Sequence, residues 1–289
     1  MNDPDISGRL PPQVTGGLQR SANRVPGVPL HPRERVLTMR GPMSDNGGLE
    51  QLIVRMEAIL AAFGPGDARR HFHALDTRTT RAVAAEVARS GFLDGGWLER
   101  WDVVFADLYL RALEAWNHDD LDGVGPWRVA FEAARDRPGL QPIRHVLFGM
   151  NTHINYDLPQ ALITVITDEE FDDPGLIARR QRDHEHIDAV LVSRVRAEED
   201  QLEGRSLTDH LLAPLNRRAT RRFLVEARTK VWRNARALSA ARRTGSDRLT
   251  ARVQELELLT AARVADLVAP GQVVLKLARR GFGVLLEGA

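Results

Sequence analysis

Histidine and aspartate stand four residues apart in His153-Ile154-Asn155-Tyr156-Asp157 and in His184-Glu185-His186-Ile187-Asp188 of this 289-residue chain. On a helix that spacing stacks an imidazole and a carboxylate on one face. A neutral nitrogen and an anionic oxygen aimed at one point suit a divalent metal. Upstream, His71-Phe72-His73-Ala74-Leu75-Asp76 adds two imidazoles and a carboxylate. Five of the nine histidines thus fall in three short carboxylate-bearing segments. The chemistry implied is a metal site built between helices.

His145, Gly149, His153 and Asp157 follow one another in steps of four, which drift by only about 40° each. They share one broad stripe, and Gly149 leaves room for a neighbour to approach closely. Pro159 removes an intrahelical hydrogen bond near Asn155. Asn151 and Asn155 point elsewhere and are candidates to fix loops or bind substrate. Burying so many polar side chains unpaired would be expensive, so they serve either a site or a satisfied hydrogen-bond network.

His184 shares a face with Ile187, Asp188 and Leu191, whereas His186 points away. His71 and His73 stand about 200° apart on a helix and share a face only if extended. Asp76 reads either as a ligand or as a helix N-cap. Asp102 lies among aromatics on a helix carrying Trp97, Trp101, Phe105 and Tyr109 at steps of four, and a carboxylate there is paired or functional. Tyr109 is placed to donate a hydrogen bond to it. The aromatic ladder itself reads as core.

Periodicity and breakers supply the elements that must position these groups. Residues 1–47, rich in Pro and Gly, read as a disordered leader, with Met39 or Met43 as alternative starts to Met1. Residues 48–289 read as one helical domain. An amphipathic helix over Leu52–Phe63 stops at Gly64-Pro65-Gly66. Further helices are predicted over Thr79–Arg89, Gly96–Trp116 and Pro126–Arg135. A long apolar segment runs from Ile143 to Ile166, interrupted by Pro159. Residues 175–203, 206–240 and 246–268 read as long charged helices. The tail from Val273 to Leu286 is ambiguous between helix and strand. The fold class is all-α, a single multi-helix bundle.

Bulk composition excludes several chemistries. Without cysteine there are no disulfides, thiolate ligands or cysteine nucleophiles. A net charge of +1 gives no global field for nucleic acid, which is not expected as a partner. No signal peptide or membrane-length apolar run is visible, so membrane insertion is not expected and a cytoplasmic location is. Neither a phosphate-binding Gly-rich loop nor a Gly-x-Ser-x-Gly elbow occurs, and Glu-x-x-His is missing, which argues against a di-iron bundle.

The segment Gly149-Met150-Asn151-Thr152-His153-Ile154-Asn155-Tyr156-Asp157-Leu158-Pro159-Gln160 resembles an uncharacterised, mostly bacterial family defined as a domain of unknown function. The His-Phe-His segment and the Trp101–Tyr109 helix share the likeness, which covers about 50–240 and implies no established activity. More distantly, the two His-x-x-x-Asp pairs and Gln160 resemble the zinc-dependent phospholipase C and single-strand-specific nuclease superfamily. That resemblance implies an all-helical enzyme with clustered zinc ions, completed by Asp76 or Asp102 and by His71 or His73. The histidine expected after the first pair is replaced near Ile163, and the family's N-terminal tryptophan ligand has no counterpart, so one or two metals are expected.

The expectation is a metal-dependent hydrolase acting on a phosphoester of a small-molecule substrate. His71 or His73, Asp76, His153, Asp157, His184 and Asp188 are the candidate ligands. Zinc is the first choice, with iron or manganese as alternatives. Asp102 is the candidate general base or ligand-orienting group, and Asn151, Asn155 and Tyr109 are candidates to bind substrate. Two alternatives stay open: an oxygenase or cyclase using a metal, and a non-catalytic helical scaffold with buried His/Asp networks.

Overall fold

A computed structural model describes residues 48–201 and 217–289, without the side chains at 188, 190–201, 217–224, 274 and 278. The expected leader, residues 1–47, lies outside the described residues. Among the described residues every regular element is helical. In chain order these are α1 (Gly48–Ala62), α2 (Arg69–Ala88), α3 (Gly95–Asn117), α4 (Leu121–Val124), α5 (Trp127–Asp136) and α6 (Pro142–Thr152). A π-helical turn, His153–Asp157, joins α6 to α7 (Leu158–Val165). Then follow α8 (Asp168–Phe171), α9 (Pro174–Gln201), α10 (Arg217–Thr244), α11 (Ser246–Val268) and α12 (Val273–Arg280). No described helix is long and apolar enough to cross a membrane.

Helix α3 is the central beam. Asp94 caps it by accepting from the Trp97 N–H, and Trp97, Leu98, Trp101, Ala106, Tyr109, Leu110 and Leu113 are buried along it. Each large apolar side chain so buried stabilises by ~1.5–3 kcal/mol. One apolar cluster joins α1, α2, α5 and α6 around Tyr109 and Leu110, and a second joins α7, α9, α10 and α11 around Trp97 and Trp101. Helix α7 sits between α3 and α10 and buries Leu158, Ala161, Leu162 and Ile163.

Sequence and structure part company in three places. Helix α2 starts at Arg69, ten residues earlier than the predicted Thr79. Asp76 is therefore in a helix interior, buried, and is not an N-cap. The long apolar segment is continuous through Pro159, because the missing Pro N–H is absorbed by a π turn closed by Leu158 N–H on the His153 carbonyl. The ambiguous tail is first helix and then extended chain. Gly281 makes the switch at φ +74°, and a Cβ there would meet the Glu226 carboxylate at 2.6 Å.

That extended chain is a strap held by side chains in place of strands. Val284 N–H donates to Asn155 Oδ1 and Leu286 N–H to Asn234 Oδ1, both at 2.9 Å. The carbonyls of Phe282 and Val284 accept from Asn155 and Asn234 in return. Asn151 adds a further bond to the Phe282 carbonyl. The strap therefore rests on the π turn, which fixes the backbone carrying His153.

Candidate functional site

His153 and Asp157 project from the two ends of the π turn and meet. His153 Nδ1 lies 2.8 Å from Asp157 Oδ2, and Trp127 at the start of α5 donates its indole N–H to the same oxygen at 2.9 Å. With Asp157 ionised, Oδ2 accepts from both Trp127 and His153, which places the shared proton on His153 Nδ1. The imidazole therefore presents an Nε2 lone pair inward. Burial pushes the Asp157 carboxyl upward, and the bonds from His153 and Trp127 oppose that rise.

Asp76 faces this edge from another helix, and Asp102 of α3 lies close enough to feel the Asp76 charge. Asp76 of α2 places Oδ1 3.8 Å from His153 Nε2, beyond hydrogen-bond range. His153 Nε2, Asp76 Oδ2 and Asp102 Oδ2 are all buried without a hydrogen-bond partner. Burial raises the Asp76 carboxyl, and burial with the nearby Asp76 charge pushes Asp102 up to about 8. Asp102 accordingly carries a proton at neutral pH. No described Arg or Lys pairs with any of the three aspartates.

Aromatic rings close the cluster off. Phe105 stacks on the His153 imidazole at 3.6 Å and 5°, while Phe72, Tyr109 and Trp127 contact it at 5.7, 5.9 and 5.8 Å. Gly149 permits this packing, since a Cβ there would meet the Phe72 ring at 2.3 Å. The expected close approach at Gly149 is thus made by a ring. Phe72, Tyr109 and Trp127 also line a crevice of about 20 Å³, with His145 and Arg69 among its walls. Three carboxyls and one imidazole in so apolar a shell are costly to bury.

The remaining candidates lie elsewhere. His73 Nε2 must donate to the Met56 carbonyl at 2.8 Å, so its Nδ1 accepts from the Tyr109 hydroxyl at 3.0 Å. Tyr109 is therefore directed at His73 and makes no hydrogen bond to Asp102. Burial holds His73 below its usual range. His71 leaves the opposite side of α2 and stacks on His145, 6.0 Å between ring centres. His184 accepts from the Trp232 indole at 3.1 Å, and burial with the Arg228 charge lowers it to about 3. Its nearest link to His153 runs through Trp101 and Phe105. The Asp188 side chain lies outside the described residues. Asn151 and Asn155 hold the strap.

The structure thus brings together Asp76, Asp102, His153 and Asp157, and does not bring His71, His73 or His184 to them. Trp127 and Phe105 were not singled out in the sequence as parts of the site. The only signal was Pro126 at a helix start, which fixes Trp127 as the first residue facing inward. Asp183, beside His184, is a structural anchor accepting from the Leu93 and Asp94 N–H groups at 2.7 and 2.8 Å.

As placed, no three His, Asp or Glu side chains among the described residues close on one point as a metal site requires. The zinc cluster implied by the distant resemblance does not fit, because His73 and His184 are engaged in other hydrogen bonds. The donor chemistry of His153 Nε2 and Asp76 does fit a single divalent cation. Both atoms are orphaned in the core, and an ordered Asp157–His153 bond is what such a ligand needs behind it.

A family model described as a family of unknown function (DUF5995) matches residues 49–270. Neither a search of curated proteins nor one of solved structures found a match.

Proposed function

The chain belongs to that family of unknown function, and from its buried cluster we propose a metal-dependent hydrolase acting on a small phosphoester. One observation carries the reading: His153 Nε2, Asp76 Oδ2 and Asp102 Oδ2 are buried together with no partner. A fold leaves such groups unsatisfied at a cost of a few kcal/mol unless something completes them.

His153 and Asp76 would hold the cation, with rotation of the Asp76 side chain bringing its oxygens closer to Nε2. A bound divalent ion would supply Lewis-acid polarisation of a phosphoryl oxygen. Imidazole suits zinc and carboxylate suits manganese, so either ion matches this pair. Asp157 fixes the His153 tautomer, and Trp127 fixes Asp157. Asp102, raised to about 8, is poised to give and take a proton near neutral pH. The rings of Phe72, Phe105, Tyr109 and Trp127 around His153 would keep water from the cluster.

Hydrolysis of p-nitrophenyl phosphate and bis(p-nitrophenyl) phosphate tests this reading, using chelator-treated protein with zinc or manganese added back. Activity should return with metal and fall by about 100-fold or more in Asp102→Asn, the range for loss of a general acid or base. Absence of metal-dependent activity on both compounds would overturn it. A scaffold without catalysis is the second reading, favoured by the hydrogen bonds that engage His73, His184, Asn151 and Asn155. It expects Asp102→Asn to gain stability and to cost no activity.

A further inference from the structure

Several arginines of this chain are paired with carboxylates where they stand. Arg81 pairs with Glu57, Arg111 with Asp107, Arg128 with Glu132 and Arg243 with Asp172. Two arginines in the middle of α10 are not paired in this way. Arg233 and Arg236 are exposed and have no ion pair with a described carboxylate. Together with Arg228 they line a groove of about 280 Å³ between α10 and α9, in which Gln181 and a single carboxylate, Glu185, form the other side. A net charge of +1 leaves little basic surplus, yet among the described residues lining this groove the exposed Arg233 and Arg236 stand opposite one acid, Glu185.

We propose that this groove binds a small organic phosphate, with Arg233 and Arg236 gripping the phosphate oxygens and Arg228 adding charge. Guanidinium forks match phosphate oxygens in pairs, which a lone carboxylate ligand would exploit less fully. The volume is close to the lower end of small-molecule sites, about 300 Å³. It does not suit a nucleic-acid strand. Trp232, the aromatic of the groove lining, is 4% exposed with its N–H donated to His184, so among the described lining residues no ring is free for a base to stack on. The groove is separate from the Asp76–His153 cluster, from which Trp232, His184, Trp101 and Phe105 divide it.

Isothermal titration calorimetry of the full chain with adenosine 5′-monophosphate and with inorganic pyrophosphate tests the site. Saturable one-site binding of at least one probe is expected. It should weaken by about tenfold or more in an Arg233→Gln/Arg236→Gln variant, a loss of one or two charge-assisted contacts. Because both side chains are exposed, that variant should keep the wild-type circular dichroism spectrum. Arg81→Gln, remote and paired, should bind as wild type does. No saturable binding of either probe, or undiminished binding in the double variant, would overturn the site. Tighter, steeply salt-dependent binding of a single-stranded oligonucleotide that displaces both probes would overturn the small-ligand assignment.

Discussion

His153 Nδ1 stands 2.8 Å from Asp157 Oδ2 within a single π turn, and the pair is fixed from outside by the Trp127 indole. The consequence is directional. A proton held on Nδ1 leaves Nε2 as a bare lone pair among aromatic rings, 3.8 Å from Asp76.

Asp157→Asn should disturb that direction more than the fold. An amide can donate to Nδ1 and so reverse the imidazole tautomer, turning Nε2 into a donor. Cation affinity measured by titration with manganese or zinc should fall about 10- to 100-fold, as for loss of an orienting partner. Unchanged affinity would show that the Asp157–His153 bond does not set the ligand.

Stability should depend on Asp102 in a direction opposite to that of a salt-bridged aspartate. Its carboxyl is raised from 3.8 to about 8, so between those values the folded state binds a proton that the unfolded state has released. Metal-free protein should lose stability as pH climbs through that window, by an amount on the order of a few kcal/mol. Asp102→Asn should flatten this slope and be the more stable protein at pH 8. His184, lowered to about 3, acts in the other sense: its contribution is lost as pH falls below about 6.5. Urea unfolding across pH 5–9 reads both, and an unchanged slope in Asp102→Asn would contradict the burial of that carboxyl.

His73→Gln and Tyr109→Phe should behave as structural variants. Each breaks the Met56 carbonyl–His73–Tyr109 chain and leaves a buried polar atom, at a cost of about 1–3 kcal/mol. Cation binding should be untouched in both. A loss of metal comparable to that of His153→Gln would return His73 to the ligand set.

The C-terminal strap should loosen in Asn155→Ala, which removes bonds to Val284 N–H and the Phe282 carbonyl. Trypsin should then cut faster after the exposed Arg280, which directly precedes the strap. Cleavage as slow as in wild type would mean that Asn234 and Lys230 suffice to hold it.

Much of the helical frame was legible because its causes are local. The aromatic steps from Trp97 to Tyr109 and the breakers at Gly64–Gly66 and Gly245 mark helices directly. The His153/Asp157 pair was legible for the same reason, being four residues apart on one element. What failed was long-range. His184 and Asp188 carry the same spacing, yet His184 meets Trp232, 48 positions on, and nothing in the spacing announces that partner. His73 was drawn away by Met56 and Tyr109, and Asn155 by a tail 129 residues distant. Asp76 was misplaced because Leu75-Asp76-Thr77 imitates a helix start, whereas burial against α6 carries α2 back to Arg69.

The most direct measurement is metal content by elemental mass spectrometry on untagged full-length protein, alongside His153→Gln, Asp76→Asn and an Arg81→Gln control. Near-stoichiometric zinc or manganese is expected in wild type and control, and its loss is expected in both site variants while they remain folded by circular dichroism. Wild-type protein that holds no divalent metal, even after dialysis against zinc and manganese, would contradict the proposal. The buried aspartates and His153 would then stand as a structural network.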